Sequence, residues 1–228
     1  TYTNIIFAID ATQSMYTYRK KIAETINKII DDNKKYGLEE LRFGLILYRD
    51  YADKKNSSAP DLEVYKLTDD FDFIKSKINN AVYNSWDSDA PEALYNGLIK
   101  GLSSINPDPL ESNILVLIGD CGNHREFTYK DGKKMLNPSY NKKHTFEKVV
   151  EVFKEKSINL LSLQVNYTDK PTQSDFNDFN IDVIFETAQS KIKDKNSNLY
   201  PDLDKINNDK GFKLVWKTKN NDSRKDYL

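Results

Sequence analysis

The chain has 228 residues, with 34 Lys and Arg against 35 Asp and Glu, so its formal net charge is −1. This balance argues against a general nucleic-acid-binding protein, which needs a basic field to displace the counterions of the phosphates. No apolar run approaches the ~20 residues that a transmembrane helix requires. A single Cys excludes an internal disulfide framework, and 14 Tyr and 11 Phe among clear apolar runs indicate a folded domain.

Five short apolar runs, rich in Ile, Leu and Val, have the near-continuous pattern of strands that are covered on both faces. They alternate with segments whose apolar residues recur at helical spacing. Strands are predicted at 5–9, 43–48, 114–118, 160–165 and 212–216, with a short antiparallel edge strand at 63–67. Helices are predicted at 14–30, 71–82, 91–102, 146–153 and 181–192.

This alternation predicts an α/β fold, a doubly wound and mostly parallel central sheet with helices on both faces. In such a sheet a ligand binds at the carboxyl ends of the strands, near the point where the winding reverses. Two long polar stretches interrupt the pattern, an insertion at 121–144 and an irregular segment at 194–211. We interpret 1–228 as a single domain, and because it begins with Thr1 we expect it to be a fragment of a longer protein.

Oxygen-bearing side chains cluster at the predicted carboxyl edge of this sheet. The candidate ligands come from three loops: Asp10, Thr12 and Ser14, then Ser88 and Asp89, and finally Asp120. Carboxylate and hydroxyl oxygens form a hard ligand set that suits Mg²⁺ or Mn²⁺ rather than zinc. The three loops are therefore predicted to converge on one cation.

Each of these residues also has an ordinary structural interpretation. Asp and Thr are common helix N-caps, so Asp10 or Thr12 could simply begin the first helix. Asp89 and Glu92 have the spacing of a capping box. An Asp that follows a parallel strand, such as Asp120, is common in proteins that bind no metal. The combination of these residues, in this order on these strands, favours the cation site.

Four segments resemble the von Willebrand factor type A (vWA) domain. IIFAIDATQSM resembles its opening, where the metal-ion-dependent adhesion site begins Asp-x-Ser/Thr-x-Ser, and RFGLILYRDY resembles its second strand. DSDAPEALYNGL is similar to the Gly-Gly-x-Asp-x-Pro-Glu-Ala stretch of one branch, and LVLIGDCGNH to the strand and loop Leu-Ile-Thr-Asp-Gly/Ala. The resemblance covers roughly residues 4–165, with weaker support as far as 216.

The resemblance implies a Rossmann-like fold and a cation, Mg²⁺ or Mn²⁺, at the candidate ligands named above. In the second loop, many members have Thr at the position of Ser88, and the branch has Gly followed by Asp, as at Asp89, so both stay candidates. Trp86 and Asp87 stand where the branch has glycines, which leaves the geometry of that loop open. In the family an Asp or Glu of a partner commonly binds the metal, so the resemblance implies a protein partner that contributes an acidic side chain.

The residues favour a binding module over an enzyme. Neither the Gly-x-Ser-x-Gly elbow nor the Gly-rich phosphate loop occurs, and an aspartyl phosphatase would need Asp where Thr12 stands. Cys121, His124 and His144 suggest zinc or thiol chemistry with Asp120, but their spacing matches no standard zinc motif. We therefore predict no enzymatic activity, no nucleic-acid partner and no membrane contact by this domain itself.

The insertion at 121–144 leaves the predicted metal edge and carries Arg and aromatic residues among lysines. Arg and aromatic side chains dominate protein interfaces, so the insertion is predicted to set the choice of partner, with a solvated loop as the alternative. Direct partner contacts are predicted at Gln13, Trp86, His124 and Arg125.

Two other roles remain open at this point. The opening IDATQSM and the long insertion resemble the vWA domains of TssR-like proteins, which belong to the envelope assembly of some bacterial type VI secretion systems. That resemblance implies a structural domain fixed in a larger assembly. The Pro-Glu-Ala branch also occurs beside alpha-kinases, which implies a regulatory domain attached to an enzyme.

Overall fold

The computed structural model describes residues 2–35, 40–50, 59–84, 92–120, 122–124, 126–130, 133–137, 140–165, 212–215 and 226–227. The strands are β1 Thr3–Asp10, β2 Leu41–Tyr48, β3 Leu62–Thr68, β4 Ser112–Gly119, β5 Phe127–Lys130, β6 Lys133–Leu136, β7 Ile158–Val165, β8 Phe212–Val215 and β9 Asp226–Tyr227. The helices are a 3-10 helix at Gln13–Tyr18 and α1 Arg19–Lys35, α2 Phe71–Asn79, α3 Leu94–Ile105 and α4 Phe146–Glu155.

The main sheet has the order β3-β2-β1-β4-β7-β8-β9. The four strands β2, β1, β4 and β7 are parallel, and β3, β8 and β9 are antiparallel to their neighbours. The chain moves from β1 to one side of the sheet and then crosses to β4 and β7 on the other side, so the winding reverses between β1 and β4. This confirms the predicted α/β fold, with a doubly wound and mostly parallel sheet, and it places the expected ligand site beside β1.

Each face of the sheet is covered by helices, which explains why its strands are apolar at nearly every position. Along β1, Ile5, Phe7 and Ile9 pack on the side of α1 and α2. Ile6 and Ala8, between them, pack on the side of α3 and α4. Successive side chains of a strand point to opposite faces, so a strand buried on both faces needs apolar residues throughout.

Several element boundaries differ from the predicted ones. The first helix was predicted from 14, but residues 13–18 form a 3-10 helix and α1 begins only at Arg19. In that tight turn the N–H of Met15 donates to the carbonyl oxygen of Thr12 at 3.2 Å, which keeps the polar residues close to the end of β1. The edge strand at 63–67 is confirmed as β3, while the predicted helix at 181–192 and the irregular segment at 194–211 lie outside the described residues.

No described helix is both long and apolar enough to span a membrane.

Two glycines allow α3 to lie directly on β2. A Cβ atom added at Gly97 would stand 2.5 Å from the Cβ of Tyr48, and one added at Gly101 would stand 2.6 Å from the Cδ1 of Ile46. Both distances are too short for carbon atoms, so only glycine permits this approach. The position of α3 against the sheet therefore depends on these two residues.

Replacing Gly97 by Ala should lower the free energy of unfolding by about 1–3 kcal/mol, the usual cost of overpacking a core. The loss is expected although Ala has the better helix propensity, by about 1 kcal/mol. Urea denaturation would measure it, with Ser103→Ala as the control because Ser103 is exposed on the same helix. Equal stabilities for the two variants would contradict the close packing of α3 on β2.

Candidate metal site at the carboxyl edge of the sheet

The turn that follows β1 brings three predicted ligands together. Asp10 is fully buried, and its Oδ1 accepts hydrogen bonds from the backbone N–H of Thr12 at 2.9 Å and from the Thr12 hydroxyl at 2.5 Å. The Thr12 hydroxyl lies 3.2 Å from the hydroxyl of Ser14, which is exposed. The three oxygen-bearing side chains thus form a chain from the buried end of the strand to the surface.

The register of the sheet sets Asp120 next to this turn. Ile9 on β1 is opposite Ile118 on β4, so Asp10 and Asp120 follow one and two residues beyond the paired positions. Asp120 is 3% exposed. The pKa of Asp10 is raised well above its usual value, first by burial and then by the negative charge of Asp120. The two buried carboxyl groups therefore stand close enough to repel each other when both are ionised, and a side-chain hydrogen bond between them also raises the pKa of Asp10.

The free oxygen of Asp10 makes this arrangement fit a cation. Its Oδ2 is buried, and no N–H or hydroxyl group in the described part of the chain donates to it. Burying a carboxylate oxygen without a hydrogen-bond donor destabilises the folded state. A divalent cation would take the place of the missing donor and would also neutralise the repulsion between Asp10 and Asp120. The oxygen-only donor set is the one that Mg²⁺ prefers.

A metal here would need more than carboxylates and histidines. Within the described ranges, no three His, Cys, Asp or Glu side chains are grouped so that they could hold a metal ion by themselves. The hydroxyls of Thr12 and Ser14, or water, would therefore have to complete the shell. His144, which entered the zinc alternative, is half-buried before α4, and its pKa is lowered, first by burial and then by Lys100 and Lys143.

Glu92 is a residue of this edge that the sequence analysis treated only as a capping partner. It is 7% exposed, and its pKa is raised well above its usual value, first by burial and then by the charges of Asp10, Asp50 and Asp120. A hydrogen bond with Thr12 acts in the opposite direction. Its position directly after Pro91 and before an apolar helix is the sequence signal that could have identified Glu92 as a site residue.

Glu92 also ties two loops together through its backbone. Its N–H donates to the carbonyl oxygen of Gly122 at 2.9 Å, and its carbonyl oxygen accepts from the N–H of His124 at 3.2 Å. On the other side, the N–H of Asn84 donates to the carbonyl oxygen of Ala11 at 3.0 Å. Asn84 and Glu92, the described residues on either side of 85–91, are therefore both held by backbone hydrogen bonds.

His124 and Asp50 form a buried pair between the loops that follow β2 and β4. The Nε2 of His124 lies 2.5 Å from the Oδ1 of Asp50, and both side chains are at most 1% exposed. His124 was predicted to contact a partner, but a buried ring cannot do so directly, and the structure instead gives it the role of holding its loop. Asp50 was missed although it follows a parallel strand just as Asp120 does.

Arg49, next to Asp50, is a buried cation that the sequence analysis also missed. Its side chain is 1% exposed and pairs with the Glu63 carboxylate at 2.7 Å. Its guanidinium also donates to the carbonyl oxygen of Pro60 at 2.7 Å and to that of Val82 at 2.6 Å. It thereby joins the end of β2 to the start of β3 and to the chain before 85–91.

The remaining predicted site residues divide into two groups. Gln13 is exposed on the 3-10 helix between Thr12 and Ser14, where a partner could reach it. Five others lie outside the described residues: Trp86, Ser88, Asp89, Cys121 and Arg125. Their predicted roles stay predictions.

Part of the insertion at 121–144 forms a hairpin rather than a loop. β5 and β6 pair in antiparallel register from Phe127 with Leu136 to Lys130 with Lys133. The N–H of Asn137 donates to the carbonyl oxygen of Glu126 at 2.8 Å, which closes the base of the hairpin. In the sequence, the dipeptide Asp131-Gly132 between two short runs is a usual signal of a β-hairpin.

The doubly wound sheet, with the Asp10 turn beside Asp120 at its winding reversal, defines a von Willebrand factor type A domain. Within this class the chain belongs to the family of TssR vWA domains, because the family model described as "TssR protein VWA domain" matches residues 1–222. A search of the curated proteins gives no match.

A solved adhesin structure of low sequence identity shares the fold. The pilus adhesin SpaC of Lactobacillus rhamnosus GG, in its open conformation, has a TM-score of 0.55 and 11% identity over 80% of this chain and 26% of the adhesin. Another crystal structure of that adhesin has a TM-score of 0.56 and 11% identity over 80% of this chain and 27% of the adhesin. Proximal thread matrix protein 1 of the mussel byssus has a TM-score of 0.49 and 14% identity over 71% of this chain and 35% of that protein. This chain thus spans only about a quarter of the length of the adhesin.

Proposed function

We propose that this domain is a protein-binding module that depends on a divalent cation, Mg²⁺ or Mn²⁺. Asp10, Thr12, Ser14 and Asp120 would hold the cation, and a protein partner would bind it through an acidic side chain. The observation that carries the proposal is the buried Oδ2 of Asp10, which has no donor among the described residues and lies on a carboxylate that repels Asp120.

The residues of the edge would divide the work between holding the cation and holding the loops. When bound, the cation supplies a partly neutralised positive charge with a coordination position open to a carboxylate. The hydroxyls of Thr12 and Ser14 extend the set of oxygen ligands from the buried Asp10 to the surface. The buried pair of Asp50 and His124 and the backbone bonds of Glu92 keep the neighbouring loops in place.

Exposed apolar side chains around this edge support a protein partner. Seven large hydrophobic residues are exposed in the described part of the chain. Four of them lie on segments that leave the carboxyl edge: Tyr16, Val82, Met135 and Leu136. Apolar and aromatic side chains beside a polar anchor are typical of protein interfaces. We accordingly propose a protein partner and no nucleic acid, no membrane contact by this domain and no catalytic activity.

A second candidate is a fixed structural contact within the envelope assembly of a type VI secretion system. The family match over residues 1–222 favours it, and it favours this role over a regulatory domain attached to an enzyme such as an alpha-kinase. The two candidates differ in one property, since a fixed structural contact needs no exchangeable cation.

A calorimetric titration with Mn²⁺ tests the proposal. The wild-type domain should bind one ion, and Asp10→Asn should weaken binding by more than the ~10–100-fold that loss of an outer-shell partner costs. Asp69→Asn is the matched control, because Asp69 is exposed before α2. Absence of binding to the wild type up to millimolar Mn²⁺ would exclude the cation-dependent module and leave the structural role.

A further inference from the structure

We propose that the β5–β6 hairpin is a docking arm that adds a strand of the partner, and that this strand carries an acidic residue two positions from an apolar one. The inference rests on the proposed function only in that a protein partner approaches this edge of the sheet. It requires no cation, so the two can fail separately.

The side chains of β6 are exposed. Met135 and Leu136 are consecutive on this strand and are 50% and 56% exposed. Consecutive residues of a strand point to opposite faces, so both faces of β6 are open to solvent in part. β5 and β6 also form a sheet of their own, separate from the main sheet. A two-stranded hairpin is marginally stable in water, so it gains from a third strand.

The base of the hairpin is fixed although the side chains of β6 are exposed. Asn137 is 5% exposed, and its backbone N–H donates to Glu126, which is two residues beyond the buried His124. The N–H of Tyr140 in turn donates to the carbonyl oxygen of Asn137 at 3.1 Å. The base of the hairpin is therefore anchored next to the loop after β4, which begins with Asp120.

The charge of the insertion specifies an anionic occupant. Residues 121–144 contain six Lys and Arg against two Asp and Glu, a net charge of +4 with His neutral, whereas the whole chain has −1. The rest of the sequence therefore has a net charge of −5. This negative charge would repel the extended phosphate backbone of a nucleic acid. A short acidic polypeptide meets the positive arm without lying along the negative remainder.

The pattern of β6 specifies how the occupant is spaced. Lys133 and Met135 lie on one face, and Lys134 and Leu136 lie on the other, so each face presents a cation and an apolar side chain two residues apart. All four residues are exposed. A strand that pairs with this arm should therefore carry an acidic residue two positions from an apolar one. Backbone hydrogen bonds to the strand edge would supply affinity, as in other cases of strand addition.

Selection from a phage-displayed library of random linear peptides tests this inference. The wild-type chain is screened in EDTA, so that no cation takes part. The hairpin variants are Lys133→Glu with Met135→Ser, and Lys134→Glu with Leu136→Ser. The control is Lys154→Glu with Leu110→Ser, which makes the same changes at exposed positions on α4 and before β4. Circular dichroism verifies that every variant is folded.

The selected peptides should share an acidic residue two positions from an apolar one. A synthetic consensus peptide should bind at least one hairpin variant about 10-fold more weakly than the wild type, a loss of about 1.4 kcal/mol, and the control normally. No enrichment, a consensus without an acidic residue, or equal affinity for all variants would overturn the docking arm. Tighter binding of a single-stranded oligonucleotide than of the peptide, lost in the same variants, would replace the protein partner by a nucleic acid.

Discussion

Replacing the buried Arg49 by Met should lower the free energy of unfolding by about 2–5 kcal/mol, because each buried acceptor that loses its donor costs about 1–3 kcal/mol. Met fills a similar volume but donates no hydrogen bond. Glu63 would lose its cation, and the carbonyl oxygens of Pro60 and Val82 would lose their donors. Because small domains are stable by only about 5–15 kcal/mol, this is a large share of the total. Urea denaturation at pH 7 in EDTA measures it.

Lys148 supplies the control for this prediction. It pairs with Glu151 on α4, and the two side chains are 51% and 65% exposed. A pair in contact with solvent contributes little to stability, so Lys148→Met should leave the free energy of unfolding almost unchanged. A loss of less than about 1 kcal/mol in Arg49→Met would show that the Arg49 cluster does not hold the loops together.

Replacing Asp10 by Asn should make the cation-free domain more stable at neutral pH, by on the order of 3 kcal/mol, since an uncompensated buried charge costs several kcal/mol. The amide oxygen can still accept the bonds from Thr12, while the negative charge facing Asp120 is removed. Thermal unfolding in EDTA measures the difference, at about 2–4 °C of melting temperature per kcal/mol for a domain of this size.

The advantage of Asp10→Asn should depend on pH in a defined direction. The folded-state pKa of Asp10 is raised above its unfolded value, so the folded state holds the proton more tightly. The stability of the wild type therefore falls as the pH rises through that interval, and the benefit of Asn should vanish towards pH ~3, below the unfolded-state pKa of Asp, where Asp10 is protonated in both states. Asp69→Asn should show no such trend, and an unchanged difference between about pH 3 and about pH 8 would contradict the buried charge.

Added Mg²⁺ should make the wild type more stable than Asp10→Asn, which reverses the order of stability expected in EDTA. A ligand that binds only the folded state stabilises it in proportion to the logarithm of its concentration above Kd. The wild type should therefore gain stability with Mg²⁺ at pH 7, and Asp10→Asn should not. If both gained equally, the cation would bind elsewhere.

The fold was predictable because its signal is local and repeated. Runs such as Ile5–Ile9, now part of β1, are apolar at nearly every position because the strand is buried on both faces, and this pattern needs no knowledge of the neighbours. The grouping of Asp10, Thr12 and Ser14 is also local, since a single turn brings the three together. The 3-10 form of residues 13–18 was not predictable, since helical spacing does not separate it from an α-helix.

The buried polar contacts were not predictable, because their partners are distant in sequence. Asp50 and His124 are 74 positions apart in the sequence, and the residues next to them do not predict that both side chains are buried. Arg49 likewise reads as a surface residue until the chain at 82 is folded against it. The hairpin could have been found from Asp131-Gly132, but strands of four residues rich in lysine resemble a solvated loop.

The described residues on either side of 85–91 are anchored to the scaffold. Asn84 is held by Ala11, Glu92 by Gly122, and α3 behind it is fixed on the sheet through Gly97 and Gly101. Changes of sequence or length between two fixed anchors cost little, because the entropy of closing a loop grows only slowly with its length. Evolution or protein engineering can therefore change the sequence between Asn84 and Glu92 without rebuilding the scaffold.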